Sequence, residues 1–331
     1  DELKQILKRE RARTDRTAEG FSLLVFSSPA SNGNGFVLGR LARILKRRLR
    51  STDEAGWLES GQIGIVLPAT PPRGAWKLAD DLGGRMKSNR EALQCEVYYY
   101  PSDVTPGQTS PPGGVQIPTD RKPIYPMETL FAQGLPVWKR CLDVCGAVVG
   151  MIVLTPLYAA VALAICVWSP GPILFRQRRS GLGGKPFMMY KFRTMVVDAE
   201  ERKCHLMDRN EQDGPAFKIT EDPRLTAIGK LLRKTSIDEL PQLWNVLRGE
   251  MSLVGPRPLP CDETEECDVW HRRRLDVTPG LTCIWQVQGR PRIKFADWMR
   301  TDIRYAGSRT VWHDLKLLFW TIPAVILCRG S

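Results

Sequence analysis

Asp238 and Glu239 are adjacent carboxylates in the stretch Thr235-Ser236-Ile237-Asp238-Glu239-Leu240-Pro241-Gln242-Leu243-Trp244. Cations crowd them from both sides, Lys230, Arg233 and Lys234 before, Arg248 and Arg257 after. Such a pair suits chemistry on a phosphate. One carboxylate can attack phosphorus as a nucleophile, and the other can hold a divalent metal that neutralises phosphate charge. A second reading fits the same residues: Ser236-x-x-Glu239 is a capping box, and acidic side chains favour the first turn of a helix. Pro241 suits a helix that begins near Asp238, because a proline beyond the first turn costs a backbone hydrogen bond. Both readings place the pair at a helix start, and the rest of the chain must decide between them.

Five cations are candidates for binding phosphate. Arg257 stands between Pro256 and Pro258, which stiffen the backbone and fix where its planar guanidinium points. Lys191 and Arg193 alternate with Tyr190 and Phe192, as in a strand with one polar face. That face either meets phosphate or a lipid headgroup, or is simply solvated. Arg233, just before the acidic pair, and Arg224, in Thr220-x-Asp222-Pro223-Arg224, complete the group.

The elements that must position these residues are unevenly apolar. From Leu142 to Trp168 the only charge is Asp143. That run is long enough to cross a bilayer, for which about 20 apolar residues suffice. Thr155-Pro156 interrupts its middle, where proline kinks a helix. Both flanks are basic, Lys139-Arg140 before and Arg176, Arg178 and Arg179 after, and basic flanks stay on the cytoplasmic side. A helix bent at Pro156 that enters the membrane and returns to the same face satisfies both facts. A simple span and a buried core helix are the alternatives. Pro223–Lys234 and Leu315–Leu327 read as amphipathic pieces able to lie in the interface plane, the second equally well as core.

At 331 residues the chain has room for two or three domains, and its formal charge of +12 suits an anionic partner. Nine cysteines show no C-x2-C spacing, and with three histidines no zinc site is expected. Cys141 and Cys145 read as small apolar residues, and the odd cysteine count without a secretory signal favours a reducing compartment.

Residues 1–100 read as a separate α/β domain. After a charged segment (1–18), a helix or a loose arm, come Phe21–Ser28 (strand), Gly35–Arg50 (helix), Ala55–Glu59 and Gln62–Pro68 (strands), Pro72–Lys87 (helix) and Leu93–Tyr100 (strand). This β-α-β-β-α-β order is ferredoxin-like, and it resembles the nucleotide-cyclase-like GGDEF fold. Glu59-Ser60-Gly61-Gln62-Ile63 occupies the hairpin tip where that family carries its signature, so the catalytic signature is absent. The resemblance implies a degenerate regulatory or dimerisation module, hence a homodimer. Arg40, Arg43, Lys46, Arg47, Arg48 and Arg50 line its first helix, as a solvated basic face or as a contact for polyanions. Residues 101–134, rich in Pro, Gly, Ser and Thr, read as a linker.

From residue 135 onward the motifs follow closely: Arg176-Gln177-x-Arg179-x-Gly181, Phe187-Met188-Met189-Tyr190-Lys191-Phe192-Arg193-Thr194-Met195, Asp238-Glu239-Leu240-Pro241-Gln242, Asn245-Val246-Leu247-Arg248-Gly249-Glu250-Met251-Ser252-Leu253-Val254-Gly255-Pro256-Arg257-Pro258, and Pro279-Gly280-Leu281-Thr282 leading to Trp285-Gln286-Val287-x-Gly289-Arg290. In order and spacing they resemble the bacterial sugar transferase family, the monotopic phosphoglycosyl transferases. Two departures are mild: Cys283 stands where Gly is common, and Thr155-Pro156 where Ser-Pro is. The resemblance implies a mostly helical membrane domain over 135–331, with a re-entrant membrane helix over 135–168 hinged at Thr155 and Pro156. It implies that Asp238 attacks the β-phosphate of a nucleotide diphosphate sugar, usually a UDP-sugar, releasing UMP, and that polyprenyl phosphate then takes the sugar-phosphate. It implies Glu239 as a ligand of Mg²⁺, and a place on the cytoplasmic face of the bacterial inner membrane among its lipids. No nucleic-acid partner is expected. A membrane-tethered binder of nucleic acid or nucleotide signals is the competing class, and it has no need of Asp238.

Overall fold

The computed structural model describes residues 2–27, 34–58, 61–86, 94–102, 123–288 and 293–326. The chain divides into two units, Asp1–Leu130 and Phe131–Ser331.

The first unit opens with helix α1 (Glu2–Thr17), which is neither loose nor an arm: Leu3, Leu7, Glu10, Arg11 and Thr14 are buried. Strand β1 (Phe21–Ser27), α2 (Asn34–Leu45), β2 (Glu54–Trp57), β3 (Ile63–Leu67), α3 (Pro72–Met86) and β4 (Gln94–Tyr100) follow. The sheet order is β2-β3-β1-β4-β5, with β1 antiparallel to both β3 and β4. Without the last strand this is the split β-α-β arrangement that the element succession implies. Between Ser22 and Ser27, β1 runs Leu23-Leu24-Val25-Phe26, all buried, which suits a central strand covered on both faces. Leu24, Phe26, Ile65 and Val97 pack under α2 and α3. On the sheet's other face α1 approaches so closely that a Cβ at Gly64 would lie 2.4 Å from the Leu3 side chain.

Two expectations for this unit need correction. The first helix ends at Leu45, with turns beyond it, and Arg48 there pairs with Asp81 instead of extending a basic helical face. The linker reading fails at its end. Ile124–Pro126 forms β5, parallel to β4 (Val97↔Ile124, Tyr98↔Tyr125), and Ser102 is held by the Glu128 carboxylate through its N–H at 3.1 Å and its hydroxyl at 2.7 Å. A proline at the outer edge of a sheet costs no ladder bond, so the Pro-rich composition hid a strand. Residues 103–122 of that segment, and Glu59 and Ser60 of the hairpin tip, lie outside the described residues.

After a short α4 (Glu128–Phe131), the second unit begins with α5 (Val137–Val153) and α6 (Thr155–Trp168). Among the described residues no single helix is long and apolar enough to cross a membrane, but this pair, bent by 61° at its break, has the length and composition to do so together. Pro156 sits in the first turn of α6, where its missing N–H costs least, and the Thr155 hydroxyl caps the Met151 carbonyl at 2.8 Å. Val149, Ile152, Val153, Leu163, Val167 and Trp168 are exposed apolar residues on the pair.

The hairpin is anchored at its base. Lys139, 1% exposed, is ion-paired with Asp314 and donates to the Tyr305 hydroxyl at 3.1 Å. Asp143 accepts from Ser252 Oγ and the Leu253 N–H, both at 2.9 Å. Arg140 donates to the Val246 and Leu247 carbonyls, each at 2.6 Å, at the end of a later helix. The basic pair before the hairpin is thus turned into the protein, leaving Arg176 and Arg178 as the exposed cations beyond it.

Next come the antiparallel hairpin β6 (Leu174–Ser180) and β7 (Pro186–Phe192), then α7 (Ala199–Lys203), α8 (Ala227–Lys234) and α9 (Gln242–Arg248). Strand β8 (Ser252–Val254), α10 (Cys261–Glu265), β9 (Gly280–Thr282), parallel to β8, and α11 (Ile284–Val287) lead to α12 (Phe295–Gly307) and α13 (Val311–Ile326). A core of Ala147, Met189, Leu243, Val246, Val254, Tyr305 and Leu317 joins α5, β7, α9, β8, α12 and α13. Both amphipathic segments are helices with exposed apolar residues: Leu231 on α8, and Trp312, Phe319, Trp320 and Ile322 on α13. Leu327 lies outside the described residues.

Candidate active site

The acidic pair does not start the α-helix. Asp238 and Glu239 occupy a separate 3-10 turn, Ile237–Glu239, and α9 begins at Gln242 behind Pro241. Ser236 enters the turn in the left-handed region (φ 55°) and its side chain makes no capping hydrogen bond. A left-handed non-glycine residue carries strain. The capping box is therefore not formed, and the Glu239 carboxylate is committed elsewhere.

It is committed to cations. Glu239 Oε1 accepts from Lys191 Nζ at 2.7 Å and from Arg257 Nη2 at 2.5 Å, while Oε2 accepts from Arg257 Nη1 at 3.2 Å. Burial pushes the Glu239 carboxyl up, but the Arg257 and Lys191 charges and their hydrogen bonds outweigh it and hold the group well below the usual carboxylate range. Burial lowers the Lys191 ammonium, against the opposing pull of Glu239.

Asp238 is the opposite case. It is 6% exposed, and among the described residues its carboxylate accepts no hydrogen bond. Burial, reinforced by the Glu239 charge, raises its pKa to about 6, against the pull of Lys191, Arg233 and Arg257. It lines a cleft of about 720 Å³ together with Arg179, Lys191, Arg193, Arg233 and Glu263, whose outer walls include Ile173, Leu174, Phe175 and Val197.

The remaining cations divide. Arg233 lies in the cleft beside Asp238, oriented by a bond from Nε to the Thr194 hydroxyl at 3.1 Å. Arg193 is buried and donates to Ser169 at the end of α6, but its Nε and Nη1 have no protein partner. Gly171 leaves it room: a Cβ there would stand 2.1 Å from Nη1. Arg224 also lines the cleft, anchored from behind. Its Nε and Nη2 are held by Asp222 at 2.9 and 2.7 Å, and Nη1 donates to the Ala199 carbonyl at 3.0 Å. These contacts fix the guanidinium against the cleft wall.

Some positioning residues escaped the sequence reading. Asn245 is fully buried and joins α9 to β7. Its Oδ1 accepts from the Tyr190 N–H at 3.2 Å, and its Nδ2 donates to the Met188 carbonyl and to Glu250, both at 2.7 Å. This fixes the strand of Lys191 against the helix behind the acidic pair. Tyr158 on α6 donates to the Leu240 carbonyl at 2.7 Å, tying the bent helix pair to the same turn. Asn245 stood in a quoted motif, but nothing local marks a polar residue as buried. Cys283 is buried and its thiol donates to Gln286 Oε1 at 2.9 Å, with burial pushing its pKa up. Gly289 and Arg290, at the end of the last motif, lie outside the described residues.

Among the described residues no group of three or more His, Cys, Asp or Glu side chains converges as a metal cage. The arrangement offers one unpaired carboxylate on a cationic, partly apolar cleft, with a second carboxylate neutralised behind it.

Comparison with known proteins agrees with this geometry. Residues 135–328 match the family described as bacterial sugar transferase. A galactosyl transferase CpsE from Streptococcus agalactiae is 43% identical over 194 residues, 58% of this chain and 43% of that protein. An exopolysaccharide production protein ExoY from Sinorhizobium fredii is 40% identical over 197 residues, 58% of this chain and 87% of its own length. A UDP-glucose:undecaprenyl-phosphate glucose-1-phosphate transferase from Caulobacter vibrioides is 42% identical over 201 residues, 57% of this chain and 69% of its own. The chain thus spans less than half of the streptococcal relative. With the family pattern matched over more than half of its length, the chain belongs to the bacterial sugar transferases.

Proposed function

We propose that this protein transfers a sugar-1-phosphate from a nucleotide diphosphate sugar, a UDP-sugar in the first instance, to polyprenyl phosphate, releasing UMP and starting the assembly of a polysaccharide or glycoconjugate. The observation that carries the reading is the split acidic pair: Asp238 unpaired in the cleft, Glu239 held by Lys191 and Arg257. The Caulobacter relative is named for a reaction of this kind.

In the first step an Asp238 oxygen forms a bond to the β-phosphorus of the donor. The bond from that phosphorus to the bridging oxygen breaks, and UMP leaves with the electron pair. In the second step an oxygen of polyprenyl phosphate attacks the same phosphorus and the Asp238 carboxylate is released. UMP is a stable phosphate anion whose last ionisation lies near 6, so its departure needs no proton donor; none of the three histidines lines the cleft. Arg233 and Lys191 face the charge that develops on the phosphoryl oxygens, and the unpartnered nitrogens of Arg193 sit further along the same wall. Splitting the transfer in two means that the cleft never holds both bulky anions at once.

Mg²⁺ would be held by Glu239, with phosphate oxygens and water completing its shell. Glu239 fits, since among the described residues its Oε2 accepts one hydrogen bond and keeps a lone pair for the ion. Bound there, the ion would supply charge neutralisation at the diphosphate.

The bent α5–α6 pair inserts in the membrane and returns to the same, cytoplasmic face of the inner membrane, with Arg176 and Arg178 among the headgroups and α8 and α13 in the interface. The first unit is a degenerate GGDEF-like module serving regulation or dimerisation. UMP release from a panel of UDP-sugars by the detergent-purified protein, with Mg²⁺ and polyprenyl phosphate, tests the reading. UMP lost in Asp238→Asn supports it; UDP in place of UMP, or no nucleotide release from any donor, rejects it.

A further inference from the structure

Pro256, Arg257 and Pro258 present three successive carbonyls, and each accepts from a different part of the chain. The Gly280 N–H donates to Pro256 at 2.9 Å, Arg179 Nη1 to Pro258 at 2.8 Å, and Arg274 Nη2 to Arg257. The last donor is itself clamped. Arg274 Nε and Nη2 donate to Asp302 Oδ2 at 3.0 and 2.7 Å, and the guanidinium lies 5.6 Å from the Trp298 ring. Arg274 is 3% exposed and Asp302 2%.

A buried ion pair is weak evidence for stability, because apolar residues of similar volume often do as well or better. What an apolar pair cannot do is donate to a carbonyl. Here the carbonyl belongs to the residue whose guanidinium forks onto Glu239. Arg274 and Asp302 line no part of the cleft, so neither reaches substrate there. We propose that Arg274, held by Asp302, is a positioning residue for the transfer reaction: it fixes the main chain of Arg257 and, through it, the ion pair that sets Glu239 beside Asp238. The inference rests on the transferase reading above.

The test measures UMP release by the full chain carrying Arg274→Met with Asp302→Leu, by Arg257→Ala, and by all three changes together. The apolar pair leaves no lone charge buried. The expected result is a fall in kcat of about 10–100-fold with little change in donor KM, the scale of a misplacement of about 1 Å. In the Arg257→Ala background the same replacement should cost about twofold or less, because a residue that acts through Arg257 has nothing left to position. Equal losses in both backgrounds indicate a structural role and overturn the inference, as does an unchanged kcat. Should the apolar pair fail to fold, Arg274→Lys keeps the charge beside Asp302 but replaces the fork with one ammonium; wild-type kcat there overturns it equally. An inactive wild-type protein would reject the transferase reading and this inference with it, whereas an active wild type with insensitive variants rejects the inference alone.

Discussion

Arg257 forks onto Glu239, Nη2 to Oε1 at 2.5 Å and Nη1 to Oε2 at 3.2 Å, and the Lys191 ammonium closes on the same Oε1 at 2.7 Å. Adjacent carboxylates thereby acquire opposite characters. Glu239 stays ionised as part of the framework, while Asp238, one residue away, has no hydrogen-bonding partner among the described residues and opens to the cleft.

Asp238 should be costly to keep. Its pKa is raised from 3.8 to about 6, burial first among the causes. An acid raised in the folded state destabilises it wherever the group is ionised in both states. The cost is absent below the unfolded value near 4, grows between about 4 and 6, and is complete above. Asp238→Asn is therefore expected to abolish UMP release while raising stability near pH 7 by about 1–3 kcal/mol. Paired melting curves at pH 4 and pH 7.5 check this. A variant less stable than wild type at the higher pH contradicts it.

The same shift predicts a pH profile. With the Asp238 carboxylate as the proposed nucleophile, kcat/KM for UMP release should rise about tenfold per pH unit up to the region of 6 and level off beyond. A profile flat from pH 5 to 8 would place the limiting ionisation elsewhere.

Glu239→Gln should behave in the opposite way to Asp238→Asn. It strips the shared counter-ion from Lys191 and Arg257, two cations that are largely buried. Breaking such a pair costs about 3 kcal/mol or more, and the transfer rate should fall with it. Chemical denaturation of the two single variants side by side separates a carboxylate that stabilises from one that does not.

How much of this was legible in the chain follows from where the partners lie. The acidic pair, Arg257 and Lys191 carry charge in dense motifs, and the run interrupted by Thr155-Pro156 shows in hydropathy alone. The capping box was a false signal: local spacing allowed it, but Ser236 turns left-handed and Glu239 finds cations 48 and 18 residues away. Arg224 looked like the other arginines because, although Asp222 stands two residues before it, nothing local shows that the distant Ala199 carbonyl also anchors it. Asn245, the Lys139–Asp314 pair and Arg274–Asp302 were hidden for the same reason, since burial of a polar residue is a property of contacts distant in sequence.

Asn245→Ala tests one of those hidden contacts. It removes two donors and an acceptor from the junction of β7 and α9 and leaves the Met188 carbonyl and Tyr190 N–H unsatisfied in the interior. A loss of about 2–4 kcal/mol is expected, with a fall in kcat because Lys191 rides on the same strand. Thermal unfolding together with UMP release decides it. Full activity in a destabilised protein would mean that Lys191 is placed by other contacts.

The bend at Pro156 admits two outcomes on mutation, and magnitudes choose between them. Pro156→Ala restores an N–H, and an uninterrupted helix is long enough to span a bilayer; relieving a proline inside a helix is worth about 3 kcal/mol. Straightening would tear α6 from its contacts, since Val161 and Ile165 pack with Phe192 and Leu232, and Tyr158 is bonded to Leu240. It would also strain Asp143 and the buried Lys139–Asp314 pair at the foot of α5, and breaking a buried pair alone costs about 3–5 kcal/mol. Because proline already sits in the first turn of α6, little of the 3 kcal/mol is there to be recovered. Pro156→Ala is thus expected to keep the bend. A single cysteine placed on the first unit of an otherwise cysteine-free protein should stay protected from a membrane-impermeant maleimide in intact cells, with or without Pro156. Labelling that appears only in the Ala variant would show that the proline, and not the anchored base of the hairpin, sets the topology.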